Sequence, residues 1–315
     1  MSFFEKQKLQ DIGLERGYPN ICSDTISLHP SRNAALVKLY RFLERHYTGT
    51  DPTIPVKEFS FRSHIHIPPY DNNDTGYFRF YDAGSDKTII VVPQRRGSYG
   101  YNFARLTASY LASNGFNVYE IVTPFHERRL PDGVTSVVNL PADIETLKLT
   151  SKQAIEEILA LIDFIGKDSI GIVGISQGAA YATIVSGLEK KIKRSVYIHG
   201  FGDVADLLLN TNERFARHFR EQNKALTIQE DALNSLKQDL RDIEPLTYAK
   251  GISTYDAIMI NAKNDDSLPE ANVIALWEAL GRPRLYYLSG GHLSIALHIK
   301  KILRMTLQHL KRNLK

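Results

Sequence analysis

The sequence has very little sulfur: Cys22 is the single cysteine among 315 residues, beside three methionines. One cysteine cannot form an intrachain disulfide, and it cannot build a cysteine-rich zinc site. Long apolar runs are missing too, since no stretch approaches the roughly eighteen apolar residues that a membrane span requires. Met1-Ser2-Phe3-Phe4 passes straight into Glu5, Lys6 and Lys8, which leaves no apolar region for a signal peptide. The expectation is a soluble, cytoplasmic chain with no membrane span. Charge of one sign is also scarce. The 39 basic residues against 35 acidic ones leave +4, too small a surplus to argue for nucleic acid. There is no Gly-Lys-Ser/Thr phosphate loop and no metal-ligand spacing of histidine and carboxylate. No cofactor and no metal are expected, and the oligomeric state is left open.

What is present is core material. Hydrophobic residues make up 43% of the chain, enough to exclude a disordered protein. The length allows about two domains, or one α/β domain with insertions. Residues 1–57 read as a helical extension, because Ala34, Ala35, Leu36, Leu39, Tyr40, Phe42 and Leu43 fall at helical spacing. From residue 58 onward the pattern alternates. Glu58–Ile67 and Tyr77–Tyr81 read as strands joined by a turn, and so as an antiparallel pair. Strands are then expected at Thr88–Val92, Asn117–Val122, Ile170–Val173, Arg194–Ile198, Ala257–Ile260 and Arg284–Leu288, separated by helices. One of those helices is expected over Lys152–Ile165, opened by a Thr150–Gln153 capping box. Strand–helix repetition implies right-handed crossovers and a mostly parallel sheet with helices on both faces. Residues 199–250 interrupt the rhythm with helical steps, including a Thr227–Glu230 capping box. A stretch this long without a strand reads as a helical cap inserted into the 58–315 domain.

The chemistry centres on Gly174-Ile175-Ser176-Gln177-Gly178, between an expected strand and an expected helix. A serine in that frame sits on a sharp strand-to-helix turn. Small residues are needed two before and two after it, because the two backbones crowd there. His292 follows the strand Arg284–Leu288 within Gly290-Gly291-His292, a position suited to a general base. A carboxylate should orient its imidazole, and Asp265 and Asp266 both follow the strand Ala257–Ile260. Asp203 is a third acid, better placed to cap a helix.

Ser176, an acid of the 265–266 turn and His292, in that order, resemble the α/β-hydrolase superfamily. The resemblance runs from about residue 58 to 312 and leaves the extension and the 199–250 segment outside the shared core. It implies a serine hydrolase acting on a small-molecule ester through an acyl-enzyme. It implies Asp265 as the acid, since Asp265-Asp266-Ser267-Leu268-Pro269 is similar to the family's acid turn. It implies an oxyanion hole from the backbone N–H of Gln177 and that of Arg95, with Gln94 the other choice. The family's His-Gly is absent from that second turn, which reads Val92-Pro93-Gln94-Arg95-Arg96-Gly97. The run Pro124-Phe125-His126-Glu127-Arg128-Arg129-Leu130-Pro131 is similar to the abhydrolase domain-containing protein 18 group.

Arg95, Arg96, His126, Arg128 and Arg129 fall on two loops expected at the active-site rim. They either brace those loops through backbone carbonyls and Glu127, or form a subsite for an anionic substrate. Tyr99, Tyr101, Phe201 and the cap phenylalanines are candidates for an apolar acyl pocket or for core. The same triad serves amidases, thioesterases and peptidases, and a non-catalytic binding protein on this scaffold is the remaining alternative.

Overall fold

Thr88–Val92 is buried at all five positions, as a strand covered on both faces must be. Its alternate residues face different cores. Ile90 and Val92 join one apolar cluster, while Ile89 and Val91 join another. The sheet therefore has helices on each side. The computed structural model describes residues 15–16, 54–95, 103–132, 134, 140–253, 256–312 and 314.

The strands are β1 Glu15–Arg16, β2 Val56–Arg62, β3 Thr75–Tyr81, β4 Thr88–Val92, β5 Asn117–Val122, β6 Ile170–Ile175, β7 Ile192–Ile198, β8 Ala257–Ala262 and β9 Arg284–Leu288. They form one sheet in the order β1-β2-β3-β5-β4-β6-β7-β8-β9. The pairs from β5 through β9 are parallel, and β1, β2 and β3 add an antiparallel edge. β2 and β3 pair from Val56↔Tyr81 to Arg62↔Thr75. The expected strand over Glu58–Ile67 thus starts and ends earlier than its alternation suggested. β1 comes from the segment read as helical, whose helically spaced positions 34–43 lie outside the described residues.

Helices α1 Phe103–Ala112 and α10 Ile299–Leu310 cover one face. Helices α2 Ile144–Ile165, α3 Gln177–Leu188 and α9 Glu270–Ala279 cover the other. α2 starts well before the expected Lys152. Asp143 caps it by accepting from Thr146 N, so the Thr150–Gln153 capping box is wrong. Thr150 instead bonds back to Thr146 O, and Gln153 is buried against Ser63, Ile65 and Asn73. Among the described residues no helix is long and apolar enough to cross a membrane.

Between β7 and β8 the described residues form five α-helices, α4 Val204–Asn210, α5 Arg214–Gln222, α6 Lys224–Thr227, α7 Ala232–Asp239 and α8 Pro245–Ala249, and a 3-10 turn at Arg241–Ile243. Asp203 caps α4, accepting from Asp206 N. Thr227 ends α6 and bonds back to Lys224 O, so the expected capping box there does not form. This helical segment is tied to the start of α2, where Ala142 N donates to Gln222 Oε1 and Ile144 N to Asn223 Oδ1.

One buried histidine makes stability depend on pH. His309 on α10 donates from Nε2 to Asp256 O at 3.1 Å. Burial lowers its pKa to about 4, and Arg194 and Arg312 add to the effect. The unfolded chain takes up this proton near pH 6.5, whereas the folded chain resists until about pH 4. Stability from this group is complete above pH 6.5 and is lost as pH falls toward 4. Urea denaturation is expected to show the wild type losing up to about 3 kcal/mol more than His309→Gln across that window. Parallel pH dependences in the two proteins would count against the assignment.

Candidate active site

Ser176 lies where β6 meets α3, with φ 51° and ψ −118°. A serine at positive φ is strained and persists only where its surroundings over-determine it. Here Ser176 N donates to Ile198 O at 2.7 Å, and the N–H groups of Ala179 and Ala180 bond to Ser176 O. The flanking glycines are obligatory. A Cβ on Gly174 would stand 2.4 Å from Gly178 O, and one on Gly178 would stand 2.3 Å from Val92 O. The second contact shows that the turn after β4 presses directly on the elbow. Gln177 opens the helix, so its N–H has no intrahelical acceptor. Ser176 Oγ makes no hydrogen bond among the described residues and is half-buried on a cavity.

Asp265 follows β8. Its Oδ1 accepts from Ser267 N at 2.9 Å and Leu268 N at 3.0 Å. Its Oδ2 accepts from His292 Nδ1 at 2.8 Å. Burial alone would raise its pKa, but the two imidazoles beside it, His199 and the hydrogen-bonded His292, outweigh that, and the carboxyl is held far below the usual carboxylate range. Asp266 is exposed. The two loops are locked together, because Asn264 N donates to Gly290 O, and a Cβ on Gly291 would stand 2.7 Å from Asn264 O. The glycine pair before His292 is what allows the loops that carry His292 and Asp265 to meet. With Nδ1 held by Asp265, Nε2 is the nitrogen left for proton transfer.

His199 was not foreseen from the sequence. It follows β7 at φ 54°, with its N–H donating to Ile260 O at 2.8 Å. Its ring lies 4.3 Å from the His292 ring at a 34° tilt. Its Nδ1 is 3.1 Å from Asp265 Oδ2, off the line a hydrogen bond needs. Burial lowers its pKa and keeps the imidazole neutral. The available signal was its slot: the first residue after β7, the strand next to the one that carries Ser176.

Ser176, Gln177, His199 and His292 line a cavity of about 520 Å³. Gln94 and Arg95 line it as well, and the helices between β7 and β8 contribute Phe215 and Leu208. The Arg95 guanidinium lies over the Phe215 ring, 3.7 Å from its centroid. Phe201 is a lining residue too, whereas Phe219 is core. Tyr99 and Tyr101 lie outside the described residues.

No family model matches the chain, and no curated protein sequence matches it. Solved structures do. A Pyrococcus horikoshii acylaminoacyl peptidase superposes with TM-score 0.62 at 16% identity, over 85% of this chain and 44% of that one. A Pyrococcus furiosus esterase matches with TM-score 0.56 at 17% identity, over 86% of this chain and 97% of that one. An α/β hydrolase from a Penicillium species matches with TM-score 0.54 at 15% identity, over 83% and 99%. The chain has the α/β-hydrolase fold. It spans less than half the length of the peptidase and nearly all of the esterase.

On this hydrolase fold the expected rim arginines separate. Arg95 lines the cavity, and Arg96 lies outside the described residues. Arg129 is fully buried instead of facing substrate. It donates to both oxygens of Glu157 at 2.6 and 2.7 Å, to Val122 O and to Asn73 O. Arg128 pairs with Glu58 at 2.9 Å. His126 is buried, its Nδ1 beside Pro124 O and Thr123 Oγ1. These three do not form an anion subsite on the cavity: none of them lines it, and acids and backbone oxygens hold their side chains instead. Glu127 likewise takes Arg79 and Arg105. Bracing is what these arginines do.

Proposed function

We propose that the protein is a serine hydrolase that cleaves carboxylic esters through an acyl-enzyme. The reading is carried by the Asp265–His292 hydrogen bond at 2.8 Å, facing the cavity onto which the strained Ser176 elbow opens. Ser176 Oγ attacks the ester carbonyl while His292 Nε2 takes its proton. Asp265 holds the ring and stabilises the imidazolium. The oxyanion is met by the Gln177 N–H and the N–H of Arg95, with Gln94 the alternative on the same turn. His292 then protonates the leaving alkoxide, and water repeats the sequence to release the acid. The cavity walls from the cap are mostly apolar, which suits an uncharged acyl group. With the bracing arginines removed from consideration, Arg95 and Arg214 are the cations among the described lining residues that favour an anionic ester, beside the acid Glu213.

A fluorophosphonate probe is expected to label the wild type on Ser176 and to leave Ser176→Ala unlabelled. No labelling of the wild type, or equal labelling of both, would remove the proposal. The peptidase among the structural neighbours keeps amide cleavage as the second reading. A matched panel of ester, thioester and peptide substrates separates them by kcat/KM.

A further inference from the structure

Three side chains from three loops converge on one oxygen. Asp265 Oδ2 has His292 Nδ1 at 2.8 Å and His199 Nδ1 at 3.1 Å. The three ligand atoms all lie within 4.8 Å of one another. Acyl transfer needs only one of these imidazoles. His199 is surplus to it, only 4% exposed, and its Nδ1 is aimed at the cluster without an aligned partner.

We propose that His199, Asp265 and His292 form a binding site for a divalent transition-metal ion of the zinc class, and that the bound ion switches the hydrolase off. Two imidazoles and one carboxylate are the donor set of a borderline cation. Calcium and magnesium, which want several oxygen ligands, are poorly served. Tetrahedral bonds of 2.0–2.1 Å place ligand atoms about 3.3 Å apart, so the two nitrogen–carboxylate spacings, 2.8 and 3.1 Å, need to open by a few tenths of an ångström, and the two histidine nitrogens lie within 4.8 Å of each other. The ligands are already oriented. Asp265 Oδ1 is pinned by the Ser267 and Leu268 amides, and His199 by its own N–H on Ile260 O. His199 and His292 both line the cavity, which gives the ion its way in.

Inhibition follows from proton bookkeeping, and that part rests on the proposed triad. The ion takes the Nδ1 lone pair of each neutral imidazole, so the His292 proton resides on Nε2. Asp265 is already ionised, and no electron moves. Protonated Nε2 has no lone pair for the Ser176 proton, and the general base is lost while the metal stays.

The test uses the full-length chain. Co²⁺ is titrated into Ser176→Ala, with visible absorption reporting a tetrahedral site and Zn²⁺ displacing it. One-to-one uptake is expected, with His199→Phe, which keeps a ring against His292 but removes one of the three ligands, weakening it by about 100-fold or more, beyond what loss of an outer hydrogen-bond partner costs. In the wild type, Zn²⁺ is expected to inhibit ester turnover reversibly on chelation, with the inhibition constant rising by the same factor in His199→Phe. Absence of tetrahedral absorption, or equal binding by His199→Phe, overturns the proposal. So does loss of binding in His66→Ala, which would place the ion on the exposed His66–Asp71–Asp74 cluster. If Co²⁺ binds in a His199-dependent way while the fluorophosphonate fails on wild type, the metal site stands and the hydrolase reading falls.

Discussion

Asp265→Asn is expected to lower kcat for ester hydrolysis by about 10⁴-fold with little change in KM. The size of the loss follows from how the carboxylate is held. Its Oδ1 accepts two backbone N–H groups, from Ser267 and Leu268, and its Oδ2 accepts from His292. An asparagine must turn its carbonyl oxygen toward the two amides, which cannot face an NH₂ group. The NH₂ then meets His292 Nδ1, which becomes an acceptor, and the ring proton moves to Nε2. The base nitrogen is blocked while the loop geometry survives. Asp266→Asn is expected to retain near wild-type kcat, since Asp266 is exposed. Steady-state kinetics on one ester decide the matter. Asp265→Asn within tenfold of wild type, or the large loss appearing in Asp266→Asn, would assign the acid elsewhere.

Glu157→Ala is expected to destabilise the fold by about 3–5 kcal/mol, the second large effect. Glu157 neutralises Arg129, which has no solvent exposure and gives two further hydrogen bonds to Val122 O and Asn73 O. Removing the acid leaves a buried cation uncompensated. Replacing both partners by apolar residues, as in Arg129→Met with Glu157→Leu, is expected to cost far less, because desolvation of two charges is avoided as well. Urea denaturation at neutral pH measures all three proteins. The exposed pair Arg282–Glu278 serves as comparison, with an expected effect of about 1 kcal/mol or less. A Glu157→Ala loss no larger than that of the exposed pair would mean that the buried cation relaxes to solvent.

The parts of this protein that were legible in its sequence are those with a local cause. A run such as Thr88–Val92 needs only five β-branched residues to declare a doubly covered strand. The elbow around Ser176 is legible for the same reason, since Gly174 and Gly178 answer a crowding that arises within five residues. The helix start at Asp143 was missed because Thr150 and Gln153 make an equally good local pattern inside α2. Their side chains serve the helix backbone and the β2–β3 connection instead. Asp265 and Asp266 differ by one residue, and a one-residue step in a turn reverses which side chain the backbone amides can reach.

The sequence by itself determined a mostly parallel α/β sheet, the insertion between β7 and β8, and the serine turn that aims a hydroxyl off the end of β6. Only the tertiary structure decided which charges face the cavity. Arg129 reads like Arg95 on paper, yet one meets Glu157 from α2 in the interior and the other meets Phe215 from the cap. His199 and His292 are far apart along the chain and meet on one carboxylate oxygen because β7, β8 and β9 are neighbours in the sheet. Strand order, a property of the whole sheet, brought them there. No local spacing carries that information.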